Sequence, residues 1–193
     1  MQSSIKGKVV AVLVVFICIG CGWVPIAWAG YFAVGAGYGG EGESASVSIE
    51  AGQKGIDFAN LDMLLGLGLP IVPYGGDNLP DNTIDDDCPN DDCVNSGIAY
   101  TGTELGVYAK IGLKLFFENV YLNIIGGGTV VTESSIVNSP TTGRYYEEST
   151  ESVFNAMYGA GLAYFPEVFD WQLVIQIDGD NRRGVTGLVG FFW

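Results

Sequence analysis

The sequence predicts an all-β fold, a closed antiparallel up-and-down transmembrane β-barrel of about eight strands, and three observations carry that expectation. Beyond Gly30 the apolar residues recur with period 2 rather than 3.6, and 29 glycines are spread through the 193 residues, a density no helix tolerates. Charges inside the alternating segments fall on the face opposite the apolar one. The chain is 48% apolar but only 16% charged, whereas soluble chains carry roughly 25% charged residues. Part of its surface is therefore expected to face something other than water.

The segments follow in order. The first, Tyr31 to Gly39, alternates Phe32, Val34, Ala36 and Tyr38 with small residues. The second, Ser44 to Gly52, sets Val47, Ile49 and Ala51 against Ser46, Ser48 and Glu50. The third, near Ile56 to Leu69, sets Leu61, Met63, Leu65 and Leu67 against Asp62, Leu64, Gly66 and Gly68. The fourth, Thr103 to Phe117, is the clearest: Leu105, Val107, Ala109, Ile111, Leu113 and Leu115 oppose Glu104, Gly106, Tyr108, Lys110, Gly112 and Lys114. The fifth, Val120 to Thr132, opposes Leu122, Ile124 and Val130 to Tyr121, Asn123, Gly127 and Thr129. The sixth, Glu151 to Phe165, opposes Phe154, Tyr158, Leu162 and Tyr164 to Asn155, Met157, Gly159 and Gly161. The seventh, Trp171 to Asp178, opposes Trp171, Leu173, Ile175 and Ile177 to Gln172, Val174, Gln176 and Asp178. The last, Gly184 to Trp193, puts Val185, Val189, Phe191 and Trp193 on one face.

Two architectures place an apolar face behind a polar one. In a soluble exported β-sandwich the apolar rows are the core; in a membrane barrel they face lipid and the polar rows line the lumen. The polar rows are mostly glycine and neutral residues, whereas a solvated face carries around 25–35% charged residues. The connections also alternate: Gln53 to Gly55, Glu118-Asn119 and Pro166 to Asp170 are short, while Gly75 to Gly97 and Ser134 to Thr150 are long and polar. Both features favour the barrel.

Residues 1–29 read as a cleavable signal peptide and 30–193 as the barrel domain, with a long acidic loop at 75–97. Lys6 and Lys8 form a positive start, Val9 to Ile19 an apolar stretch, and Ala27-Trp28-Ala29 a cleavage site. A retained helix over Val9 to Ala29 and lipid attachment at Cys21 are the competing readings. Cleavage leaves Cys88 and Cys93, and an even pair in an exported chain suggests a disulfide.

The chain ends Gly187-Leu188-Val189-Gly190-Phe191-Phe192-Trp193. A terminal aromatic after an alternating strand, here Phe191 and Trp193, resembles the signal read by the barrel-assembly machinery. The family usually ends in Phe, with Trp an accepted variant. Taken with the export segment and the eight segments, the mature chain resembles the OmpA/OmpX-type small eight-stranded outer-membrane β-barrel group. The resemblance is architectural. It implies a multi-pass barrel of the cell outer membrane, monomeric, surrounded by outer-membrane lipids and lipopolysaccharide, and partnered by the assembly machinery during biogenesis. Phe117, Tyr164, Phe165, Trp171, Phe191 and Trp193 would form an aromatic girdle at one interface.

Composition excludes other classes. All 22 acids lie after residue 30 while Lys6 and Lys8 lie before it, so the acidic body repels nucleic acid. The chain has no His, and no spacing pairs a hydroxyl with a Lys or carboxylate base; an enzyme is not expected, and no catalytic residue is assigned. Gly35-Ala36-Gly37-Tyr38-Gly39-Gly40 fits G-x-G-x-x-G, but it lies inside a strand pattern with no helix after it, so lumen packing explains it better than a dinucleotide.

Asp77, Asp81, Asp85, Asp86, Asp87, Asp91 and Asp92 crowd the acidic loop. Such oxygens suit Ca²⁺, the one cofactor considered; a solvated loop tip stapled by Cys88 and Cys93 is the plainer reading. The strand charges Glu50, Asp62, Glu104, Lys110, Lys114 and Asp178 should point into the lumen, where each lysine must meet an acid. An eight-stranded barrel is only wide enough for side chains to fill, which favours an ion-pair plug over a pore. A narrow cation-preferring channel is the alternative. Arg182 and Arg183, in the last turn, are candidates for lipopolysaccharide phosphates, against simple local pairing with Asp178 or Asp180.

Overall fold

The computed structural model describes residues 30–41, 43–74, 79–80, 82–85, 88–89, 93–168 and 171–193, with backbone alone at 167, 168 and 171. The proposed cleavage residues Ala27 and Ala29 lie outside them. Ten strands follow in order: β1 Gly30–Gly39, β2 Ser44–Phe58, β3 Leu61–Tyr74, β4 Thr83–Ile84, β5 Val94–Lys114, β6 Val120–Ser139, β7 Arg144–Tyr164, β8 Glu167–Val168, β9 Trp171–Asp180 and β10 Gly184–Phe192.

Eight of these close a ring. Neighbours pair antiparallel in the order β1, β2, β3, β5, β6, β7, β9, β10, and β10 returns to β1 with Tyr31 opposite Phe192 and Tyr38 opposite Val185. A ring has no free edge at that height, so every ladder group finds a partner in the sheet. Gly30, where β1 begins, and Trp193 lie at one end of the barrel, called the lower end below.

The two faces of the ring divide as the alternation requires. Val34, Ile49, Leu67, Ile111, Ile124, Phe154, Ile177 and Val189 point outward and are exposed, while Glu50, Glu104, Lys110, Gln176 and Asp178 point inward and are buried. In water this arrangement is inside out, because apolar surface costs roughly 25 cal/mol per Å². In hydrocarbon it is the stable one. The β-sandwich is thereby overturned: the apolar rows do not pack against one another, and the buried interior is the polar one.

Glycine makes room for this interior. A Cβ on Gly68 would lie 2.1 Å from the Tyr108 ring, and one on Gly127 would lie 2.8 Å from the Tyr108 Cβ. These two glycines flank Tyr108 across the sheet, so the large ring has space only because its neighbours carry no side chain.

Several sequence boundaries move. The expected turn at Gln53 to Gly55 is a bulge within β2, where the register shifts between Gln53 and Ile56. The chain reverses instead at Ala59 and Asn60, both at positive φ (54° and 66°), the backbone of a two-residue hairpin turn. The expected long loop Ser134 to Thr150 is mostly strand: β6 and β7 continue through it, with Ser139 opposite Arg144. Polar Ser, Thr and Glu on both faces hid this extension, because no apolar alternation marks strands standing in water. As a result β5, β6 and β7 have 21, 20 and 21 residues, whereas β1, β9 and β10 have 10, 10 and 9. About 9–11 residues span a bilayer, so one wall of the barrel rises well beyond the other. β4 adds to its edge, pairing parallel with Tyr145 and Tyr146 of β7.

Candidate functional site

The lumen collects the chemistry of this chain. At mid-height Lys110 of β5 reaches across to Glu50 of β2 at 2.7 Å and Asp178 of β9 at 2.8 Å, with all three side chains fully buried. Its third proton goes to Gln176 Oε1. Glu50 is equally saturated: it accepts from the Tyr31 hydroxyl at 2.6 Å, the Tyr108 hydroxyl at 2.8 Å and Gln176 Nε2 at 3.0 Å. A buried charge is tolerable only when so completely paired.

Above this tier the β9–β10 turn folds inward. Asp180 Oδ1 accepts from the backbone N–H groups of both Arg182 and Arg183, which fixes the turn and aims both guanidiniums into the barrel. Arg183 binds Asp180 at 2.7 Å and Ser48 Oγ at 2.8 Å, lies 3.5 Å from Asp178, and sits over the Tyr108 ring. Arg182 makes a two-pronged bond to Glu104, 2.7 Å on each prong, and a further ion pair with Glu41 of the β1–β2 turn. Burial pulls the Arg182 guanidinium toward lower basicity, but the Glu104 bonds outweigh it and leave the group more basic than an ordinary arginine. Glu104 is also held by the Tyr74 hydroxyl at 2.6 Å, and Tyr74 stacks on Tyr100.

The lower end is closed differently. Phe165 is fully buried and meets Tyr31, Tyr121 and Phe192 edge-on, with ring centroids 5.5–5.6 Å apart. Lys54, on the β2 bulge, lies 3.4 Å from the Phe192 ring centre. Beside this floor Lys114 pairs with Asp62 at 3.0 Å, partly exposed, and Tyr121 donates to the same carboxylate.

The six strand charges named from sequence, Glu50, Asp62, Glu104, Lys110, Lys114 and Asp178, therefore all sit on inward faces. They form separate groups rather than one. Two expectations need correction. Arg182 and Arg183 have no exposed side-chain surface: Arg183 takes the local pairing with Asp180 and Asp178 and Arg182 pairs with Glu104 and Glu41, so neither guanidinium is presented to lipopolysaccharide. Phe165 belongs to the floor and not to the outer girdle. By contrast Phe117, Tyr164, Phe191 and Trp193 are exposed on the outer surface. Glu41 and the hydroxyls of Tyr31, Tyr74 and Tyr108 were not singled out from sequence. Turn residues carry no period, and an inward Tyr gives no sign of which acid it will meet.

Of the acidic loop, Asp85 is exposed, while Asp77, Asp81, Asp86, Asp87, Asp91 and Asp92 lie outside the described residues. Among the described residues no group of three or more His, Cys, Asp or Glu could hold a metal. Cys88 and Cys93 stand with Cα atoms 6.5 Å apart, within disulfide range.

A ring of eight antiparallel strands with an apolar outside and a filled polar lumen defines the small outer-membrane β-barrel architecture of the OmpA/OmpX type. A solved structure agrees on that fold. Ail, the attachment invasion locus protein of Yersinia pestis, matches with a TM-score of 0.50 and 13% identity, over 86% of this chain and 99% of that one. A second structure of Ail, in complex with the heparin analogue sucrose octasulfate, matches with a TM-score of 0.48 and 14% identity over the same shares. No protein-family model and no curated protein matches the sequence.

Proposed function

We propose that the chain is a non-enzymatic integral outer-membrane protein whose plugged barrel anchors a raised β-sheet wall and an acidic loop for binding at the cell surface. The observation that carries this reading is the pairing of the lumen: Lys110, Arg182 and Arg183 are each consumed by buried acids, in a ring whose outside is apolar. In this setting the lower end faces the periplasm, as the short turns and the terminal aromatics suggest. The lipid phase, lipopolysaccharide and the assembly machinery are its partners, and the barrel acts as a monomer. A Cys88–Cys93 disulfide would staple the tip of the acidic loop, where the aspartates are offered to Ca²⁺ or to a basic partner.

Two measurements test it. The folded chain should migrate differently on a gel before and after boiling in detergent, as closed barrels do. In planar bilayers the refolded chain should give no stable conductance steps. Steps that prefer cations would replace the plug with the narrow channel.

A further inference from the structure

The raised wall has an edge that the ring does not close. β7 pairs with β9 from Gly159 to Tyr164 and with β4 at Tyr145 and Tyr146; from Glu147 to Asn155 no strand among the described residues lies beside it on that side. Asn181 shows which backbone groups face the edge. The Tyr158 N–H donates to Asn181 Oδ1 at 2.9 Å, the Tyr158 carbonyl accepts from the Asn181 N–H, and the Ala156 carbonyl accepts from Asn181 Nδ2 at 3.0 Å. Alternate residues of a strand turn their backbone groups to the same side, and the β6–β7 register is unbroken from Tyr164 up to Ser149. The N–H and C=O groups of Thr150, Ser152 and Phe154 therefore face away from β6, along the open edge, and all three residues are exposed.

Two observations say what fits there. The edge already takes a strand: Thr83 and Ile84 add to it in parallel, and the pairing stops at the exposed Asp85, which opens the run Asp85-Asp86-Asp87. One further step would set Asp85 beside Glu147, and like charges facing each other across a ladder repel. The second observation is the charge of the open stretch. Glu147, Glu148 and Glu151 lie on it, and Glu133 of β6 stands directly opposite Glu151. Of the basic residues in β5, β6 and β7, Lys110 and Lys114 pair with acids lower down, and Arg144 alone stands on the wall. A second copy of the edge would bring the same acids against each other, so self-pairing is opposed.

We propose that the open edge of β7 docks an extended, basic segment of another protein by strand addition, between the β4 pairing above and the Asn181 cap below. The inference rests on the reading of the wall as a surface-binding element and names the chemistry of its partner. Backbone bonds to Thr150, Ser152 and Phe154 supply affinity, as in other sheets that accept an added strand. Lys or Arg side chains set against Glu147, Glu148 and Glu151 supply selection. A bare edge invites pairing of any kind; here the acids narrow the choice to a basic strand.

Binding of a short synthetic peptide of alternating lysine and threonine to the lipid-embedded barrel, followed by fluorescence anisotropy, tests this. The peptide should bind with an affinity that falls as salt is added, and the amide protons of Thr150, Ser152 and Phe154 should exchange more slowly in its presence. The same peptide methylated at its backbone nitrogens keeps its charge but cannot donate to the edge, and should bind roughly tenfold more weakly. Ser152→Pro removes one edge N–H without touching the β6 ladder and should weaken binding by a similar factor, while Ser152→Ala leaves it unchanged. Equal binding of the plain and methylated peptides would reveal attraction by charge alone and overturn strand addition, whatever the fate of the proline variant. Tighter binding of a peptide with glutamate in place of lysine would overturn the basic partner. The gel shift on boiling reports on the barrel separately, so a barrel that shifts but ignores the lysine peptide sinks this inference and leaves the anchored barrel standing.

Discussion

The lumen is filled at two heights by two kinds of chemistry, and they differ in what they tolerate. The floor, built from Phe165, Tyr31, Tyr121 and Phe192, is held by area and shape. Any side chain of similar volume fills much of the same space. The layer above it, built from Glu50, Lys110, Asp178 and Gln176, is held by directed bonds between charges in a place without bulk water. No neighbour can take over a missing charge there, because the protons of Lys110 and both oxygens of Glu50 are already committed. Packing degrades gradually; a saturated ion cluster fails at once.

That contrast sets the order of expected effects. Lys110→Met should be the most damaging change, since it leaves Glu50 and Asp178 facing each other without their shared cation; a loss of about 3–5 kcal/mol is expected, measured by urea unfolding in lipid. Combining it with Glu50→Gln should recover a large part. If the single variant were as stable as the parent, the layer would not be a buried cluster at all. Phe165→Ala should cost about 3–5 kcal/mol through the cavity it leaves, and Phe165→Leu under about 1.5 kcal/mol. The small cost of the conservative change is what separates the floor from the ion layer, and equal losses for Ala and Leu would erase the distinction. Lys114→Ala should be the mildest. Its pair with Asp62 is about one-third exposed, so a loss below about 1 kcal/mol, shrinking as salt is added, is expected.

The raised wall offers a second contrast, between what the alternation marks and what it leaves silent. At membrane height the rows Leu105, Val107, Ile111 and Leu122, Ile124 are legible because lipid demands an unbroken apolar face. Above it, the 134–150 region is just as much strand, yet Ser134, Ser135, Glu147, Glu148 and Ser149 read as loop. There water meets the sheet, and hydrogen bonding between the strands no longer needs an apolar row beside it.

By itself the sequence determined that this chain forms period-2 strands with one uncharged face, about eight around a ring, and that Glu50, Glu104, Lys110 and Asp178 lie on the other face. Side-chain direction in a strand is a local property, so a residue's parity in the chain decides its side. Only the tertiary structure decided which acid each cation meets, that the Arg182–Arg183 turn folds inward, and that Phe165 becomes a floor. Those outcomes depend on the shear of the closed ring, which brings residues more than sixty positions apart to one height, and on a turn whose aim no alternation records.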